Sequence, residues 1–158
     1  MKRVVVLVAS TRCAAGRAVD RTGPVIVEWL RGRGWSTDHL VVADGDPVGD
    51  ALRRALEQNV ELIVTTGGTG INPTDRTPEQ TLPLLDQVLP GIGEAIRARG
   101  MSSTPLAVLS RGVAGIAGRS VIVNLPGSPS GVADGIAVLD DVIEHIISQL
   151  AGGDHVTP

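Results

Sequence analysis

A chain of 158 residues, 42% hydrophobic and with a net charge of −3, is long enough to bury a real core and reads as one domain over residues 1–158, with a loose tail from about residue 154. The acidic balance argues against a general nucleic-acid binder, and the absence of Phe and Tyr leaves no aromatic platform for single strands. Cys13 is the only cysteine, which excludes an internal disulfide and a Cys-rich metal site, and Lys2 is the only lysine, so anions must be met by arginine and backbone N–H groups.

The elements alternate. Met1-Lys2-Arg3 leads into an apolar run read as a strand over 3–9, too short for a signal-peptide core. No run approaches the roughly 18–20 apolar residues of a membrane span, so the expected location is the cytoplasm, with no membrane partner. Ser10 to Thr22 is a polar loop, in which Cys13 reads as a small filler. Gly23-Pro24 opens a helix to about Arg33, and residues 37–42 form a second strand. After the loop Ala43–Asp46, with Asp46 as expected cap, Pro47 starts a helix to about Gln58. A third strand covers 61–66.

Thr65-Thr66 then enters Gly67, Gly68, Thr69 and Gly70. Thr77 reads as an N-cap, Pro78 as the first helical position and Gln80 as a capping-box partner of a helix over 78–88. A second helical piece runs from Pro90-Gly91 to about Arg99. Residues 105–111 and 119–125 read as strands separated by a glycine-rich 112–118. The turn Pro126–Pro129 leads into a last helix whose apolar positions, Val132, Ile136, Leu139, Ile143 and Ile147 among them, keep helical spacing. Asp134, Asp140 and Asp141 are expected on its solvated face. The three histidines, His39, His145 and His155, read as structural or solvated, and Asp20 as a loop partner of Arg17 or Arg21.

This order predicts a three-layer α/β/α fold with a mostly parallel central sheet. Ligands of such sheets bind at the carboxyl ends of the strands. The polar loops fall there: Ser10–Asp20, Asp44–Asp46, Gly67–Asp75, Ser110-Arg111 and Pro126–Ser128. Glycines let backbone N–H groups turn toward a ligand, and a helix N-terminus adds partial positive charge, which together suit phosphate. A carboxylate beside a phosphate site is repulsive unless a cation bridges them, so Asp75 is a candidate Mg²⁺ ligand. The plainer reading is a capped strand-to-helix turn with no ligand. Neither a Walker A nor a dinucleotide-binding glycine spacing is present.

Thr65-Thr66-Gly67-Gly68-Thr69-Gly70, Asp75 ahead of Thr77-Pro78-Glu79, Leu109-Ser110-Arg111 and Asn124-Leu125-Pro126-Gly127-Ser128-Pro129 occur in this order. Together they resemble the Mog/MoaB family of molybdenum-cofactor biosynthesis, in particular its adenylyltransferases of actinobacterial type, from Val4 to about Gly153. The resemblance implies a homotrimer that joins molybdopterin to Mg-ATP, giving adenylated molybdopterin and pyrophosphate for a separate molybdate insertase. It implies Asp44 and Asp75 as the functional acids and Mg²⁺ ligands. Ser10, Thr66, Gly67, Gly68, Thr69, Gly70, Thr77, Ser110, Arg111, Pro126, Gly127 and Ser128 would line the substrates. Two positions depart from the family pattern: Thr11 stands where an acidic residue is common, and Ser130 where a lysine is common. Arg12, Arg76 or Arg111 could replace that missing cation. A non-catalytic pterin carrier and a trimeric scaffold are the alternatives.

Overall fold

In a computed structural model, which describes residues 1–154, six strands form one sheet in the order β2-β1-β3-β6-β5-β4. The strands are β1 (Arg3–Ala9), β2 (Ser36–Val42), β3 (Leu62–Thr66), β4 (Gln87–Val88), β5 (Ala114–Ala117) and β6 (Ser120–Leu125). The first four in spatial order run parallel, and β5 and β4 continue the sheet antiparallel. The helices are α1 (Thr11–Ala14), α2 (Gly23–Gly32), α3 (Asp46–Glu57), α4 (Thr77–Thr81), α5 (Pro90–Gly100) and α6 (Pro129–Leu150).

Side chains alternate across a strand, so one run of valines serves two cores. Val4, Val6, Leu62, Val64, Val121 and Val123 pack against α2, α5 and α6. Val5, Leu7, Ile63 and Ile122 face α3 through Val48, Ala51, Leu52 and Ala55. Full burial of each such side chain stabilises the fold by roughly 1.5–3 kcal/mol. The three layers and the mostly parallel sheet are those expected from the sequence.

The chain leaves β1 for β2 on one side and crosses to β3 on the other. The strand order therefore reverses between the parallel neighbours β1 and β3, and a crevice opens at their carboxyl ends. Ser10 and Gly67 are the first residues beyond those two ends.

Three local expectations are corrected. Residues 105–111 are not a strand but a 3-10 helix over Pro105–Leu109, started by the Thr104 hydroxyl, which accepts from the Leu106 N–H. The strand lies instead in the supposed glycine-rich spacer, as β5, where a Cβ on Gly115 would fall 2.3 Å from the Gln87 carbonyl oxygen. The helix expected over 78–88 ends at Thr81 and tightens into a 3-10 turn over Leu82–Leu84, because Pro83 has no N–H and its ring obstructs a further α turn. Gln87–Val88 then pairs with β5.

Candidate active site

The glycine loop is held from four sides. Gly67 and Gly68 take φ of +93° and +68°, a region that disfavours any residue with a Cβ. A Cβ on Gly67 would lie 2.4 Å from the Ala9 carbonyl oxygen, and one on Gly68 would lie 2.3 Å from Thr77 Oγ1. The Gly67 N–H donates to the Leu125 carbonyl, and Gly127 closes on the Gly67 Cα, 3.1 Å from where a Cβ of Gly127 would sit. The loop and the Pro126–Ser128 turn are thus one packed unit.

Two expected ligand residues are part of this packing and are not free. Thr66 is fully buried and its Oγ1 donates to the Pro126 carbonyl at 2.8 Å. Thr77 is also buried, is the first residue of α4 rather than its cap, and donates its hydroxyl to the Gly67 carbonyl at 3.0 Å. Gln80 closes no capping box; its amide donates to Asp46 Oδ1 at 3.2 Å. Asp46 is accordingly inside α3, with Gly45 at the cap position.

Asp44 and Asp75 both lie over the glycine loop. Asp44 Oδ1 is 3.2 Å from the position of a Gly68 Cβ, and Asp75 Oδ2 is 2.7 Å from that of a Gly70 Cβ. Thr11 engages the other oxygen of Asp44, donating its N–H at 3.1 Å and its hydroxyl at 3.0 Å to Oδ2. Asp75 Oδ2 accepts from the Asn72 N–H at 3.3 Å. Among the described residues no three His, Cys, Asp or Glu side chains converge as a metal cluster. Mg²⁺ commonly takes only one or two carboxylates from the protein and the rest of its oxygens from water and substrate phosphates, so no such cluster is required.

Arg111 has a different place from the one expected. Its Nε donates to the Gly70 carbonyl at 2.9 Å, Nη2 to the Asp75 carbonyl at 2.8 Å and Nη1 to Glu79 Oε1 at 2.6 Å. All three guanidinium nitrogens brace the loop, so Arg111 is not a free cation for a substrate phosphate. Burial raises the Glu79 carboxyl, but the Arg111 hydrogen bond and the charges of Arg111 and Arg76 outweigh it and hold the group below its ordinary range. Arg12 and Arg76 remain exposed at the same end of the sheet.

Ser10 and Ser128 act as helix caps, their hydroxyls accepting from the N–H groups of Cys13 and Gly131. Cys13 is half-buried within α1. Ser110 lines a cavity of about 500 Å³ together with Thr69, Gly70, Pro126, Gly127 and Ser128. The N–H groups of Gly68, Thr69, Gly70, Gly127 and Ser128 have no acceptor among the described residues. Unpaired main-chain donors in a concave wall are what an anion requires.

Sequence reasoning missed Asp134, which lines the same cavity rather than a solvated face. The signal was available: it lies one helical turn beyond Ser130 on the same side of α6. Asp140 is also committed, pairing with Arg33 and accepting from Trp29 Nε1 at 2.9 Å. Those two hydrogen bonds lower its pKa. Asp20 pairs with His39 at 2.9 Å instead of with Arg17 or Arg21, and its other oxygen accepts from the N–H groups of Thr22 and Gly23. His145 and Asp141 are exposed on α6, and His155 lies outside the described residues.

A glycine loop at the switch point of a doubly wound sheet is an arrangement by which α/β proteins receive small anionic ligands. Residues 5–145 match the family described as "Probable molybdopterin binding domain". The chain belongs to this family, the Mog/MoaB group of molybdenum-cofactor biosynthesis. It is 38% identical over 154 residues to the molybdenum cofactor biosynthesis bifunctional protein of Synechococcus elongatus, covering 96% of this chain and 48% of that one. It thus spans about half the length of that relative. A molybdopterin adenylyltransferase of Helicobacter pylori is 34% identical over 155 residues, covering 93% of this chain and 86% of its own. The molybdopterin biosynthesis Mog protein from Mycobacterium ulcerans superposes with a TM-score of 0.92 at 54% identity, over 95% of this chain and 99% of that one. No helix among the described residues is long and apolar enough to cross a membrane.

Proposed function

We propose that this single molybdopterin-binding domain is a molybdopterin adenylyltransferase acting in the cytoplasm. The observation that carries the reading is the placement of Asp44 and Asp75 over one glycine loop, of which Thr69 and Gly70 line a cavity of about 500 Å³. In the reaction a terminal phosphate oxygen of molybdopterin attacks the α-phosphorus of ATP. The bond from that phosphorus to the bridging oxygen breaks, and pyrophosphate leaves with the electron pair. The nucleophile is already ionised at neutral pH, so no strong general base is needed.

Two anions must meet, so positioning and charge neutralisation carry most of the rate. Asp44 and Asp75 would hold a Mg²⁺ ion, which supplies charge neutralisation among the ATP phosphates when bound. The free N–H groups of Gly68, Thr69 and Gly70 would bind one anionic group, and those of Gly127 and Ser128 a second. Arg111 keeps the loop in shape through the Gly70 and Asp75 carbonyls. Arg12 and Arg76 would screen the approaching charges.

Ile71 and Leu106 at the cavity are 71% and 68% accessible, and Met101 and Val108 in the adjoining chain are also exposed. Such a patch supports self-association, and we assign a homotrimer whose adenylated product passes to a molybdate insertase.

The test is pyrophosphate release from Mg-ATP and purified molybdopterin by the native protein, Asp44→Asn and Asp75→Asn. Native turnover, with about a hundredfold loss in Asp75→Asn at retained pterin binding, is the expected result. Pterin binding without ATP consumption by the native protein would make it a carrier instead. Binding of neither ligand would leave a trimeric scaffold.

A further inference from the structure

We propose that Asp134 is a specificity-determining residue that reads the amino-pyrimidinone edge of the pterin, placing that heterocycle against the α5–α6 end of the cavity. The proposal deepens the adenylyltransferase reading and rests on it.

The register of Asp134 is set by close contacts at the two flanking glycines. A Cβ on Gly131 would fall 2.6 Å from Pro126 Cβ, and one on Gly135 would fall 2.5 Å from Leu125 Cδ2. The first turns of α6 are therefore pressed onto the end of β6, and Asp134, between these glycines, is turned into the cavity. Gly100 keeps that end open: a Cβ there would meet Ala107 Cβ at 2.8 Å and Asp134 Oδ2 at 3.5 Å.

The surroundings are unusual for a carboxylate. Ile96 and Leu109 line the cavity together with Ser103, Thr104 and Ser130, and among the described residues Asp134 is the only acid lining it. Its side chain is 20% exposed, and its one ionic partner among the described residues is Arg99, with Nε at 3.7 Å, beyond hydrogen-bond range. Arg97, which also lines the cavity, is turned to the carbonyls of Ser110 and Gly112. No donor within the described residues hydrogen-bonds the Asp134 carboxylate. Open acceptors on a cavity wall are available to donors from a ligand.

A carboxylate pairs best with two adjacent, parallel N–H donors. The 2-amino group and N3–H of a pterin form such an edge. Adenine instead presents a donor beside an acceptor, whose lone pair would face a carboxylate oxygen. The cavity end at Asp134 therefore selects pterin over adenine, with the phosphate directed toward the glycine loop and the Ser128 turn.

The experiment is a fluorescence titration with 6-hydroxymethylpterin phosphate and with its lumazine counterpart, in which oxygen replaces the 2-amino group. Native protein, Asp134→Asn and Arg99→Gln are compared, with ATP binding measured in parallel. Native protein and Arg99→Gln should prefer the pterin by about 10- to 100-fold, the usual penalty for a mismatched buried hydrogen bond. Asp134→Asn should lose that preference to within about threefold while ATP binding stays unchanged. Retention of the preference in Asp134→Asn, or its loss in Arg99→Gln, overturns the assignment and leaves the adenylyltransferase reading intact. Failure of the native protein to bind either pterin or ATP overturns both.

Discussion

Thr11 and Asp44, 33 residues apart, hold each other by three hydrogen bonds. Thr11 donates its N–H and its hydroxyl to Asp44 Oδ2, and the Asp44 N–H donates to Thr11 Oγ1 at 3.1 Å. One carboxylate oxygen is thereby occupied and the other is left over Gly68. An acidic residue at position 11 could make no such clamp without a cation between the two carboxylates. The Thr11 hydroxyl and N–H thereby fix the orientation of the Asp44 carboxylate.

Thr11→Val keeps the shape and the N–H but removes both bonds made through Oγ1. The expected outcome is about a tenfold fall in the rate of pyrophosphate release, corresponding to loss of roughly 1.4 kcal/mol of orientation. Thermal unfolding should change little, because Thr11 is exposed. An unchanged rate would show that Asp44 needs no clamp.

Glu79 makes stability depend on acid. Its pKa is lowered in the fold, so its contribution is present above the unfolded value of 4.5 and is lost as pH falls through the lower folded value. Urea unfolding of the native protein should therefore weaken below about pH 4.5, and Glu79→Gln should flatten that part of the profile. Equal slopes in the two proteins would remove Glu79 from the account.

Arg111→Lys retains charge but cannot span the Gly70 carbonyl, the Asp75 carbonyl and Glu79 at once. A stability loss of about 1–3 kcal/mol is expected in urea melts, together with a lower rate, since the strand-to-helix loop carries Asp75. A direct phosphate ligand would instead show weaker ATP binding at unchanged stability.

Gly67→Ala places a Cβ 2.4 Å from the Ala9 carbonyl oxygen at a φ of +93°. Backbone must move, and a loss of more than about 2 kcal/mol follows from strain of this kind. Chemical denaturation measures it.

Leu106→Glu puts charge on an apolar side chain that is 68% exposed. Sedimentation velocity should show a species smaller than the trimer proposed for the native protein, while the protomer keeps its secondary structure by circular dichroism. An unaltered sedimentation coefficient would place the interface elsewhere.

The sequence by itself determined the α/β alternation, the buried strands β1 and β3, and the glycine loop. These depend on local properties: apolar runs of strand length, helical spacing along α6, and the backbone freedom of Gly67 and Gly68. It misread 105–111, where apolar residues suit a strand but the sheet offers no neighbour and Pro105 favours a tight turn. What only the tertiary structure decided is how polar side chains are used. Thr66 and Thr77 had the chemistry of ligands, yet carbonyls of Pro126 and Gly67 take their hydroxyls. Arg111 looked like a substrate cation, but chain crossings bring it within reach of Gly70, Asp75 and Glu79. Asp134 looked solvated, but α5 and the 3-10 turn at Pro105–Leu109 form a cavity whose wall it shares. A side chain satisfies the nearest available partner, and which partners are near is set by packing between segments far apart in the chain.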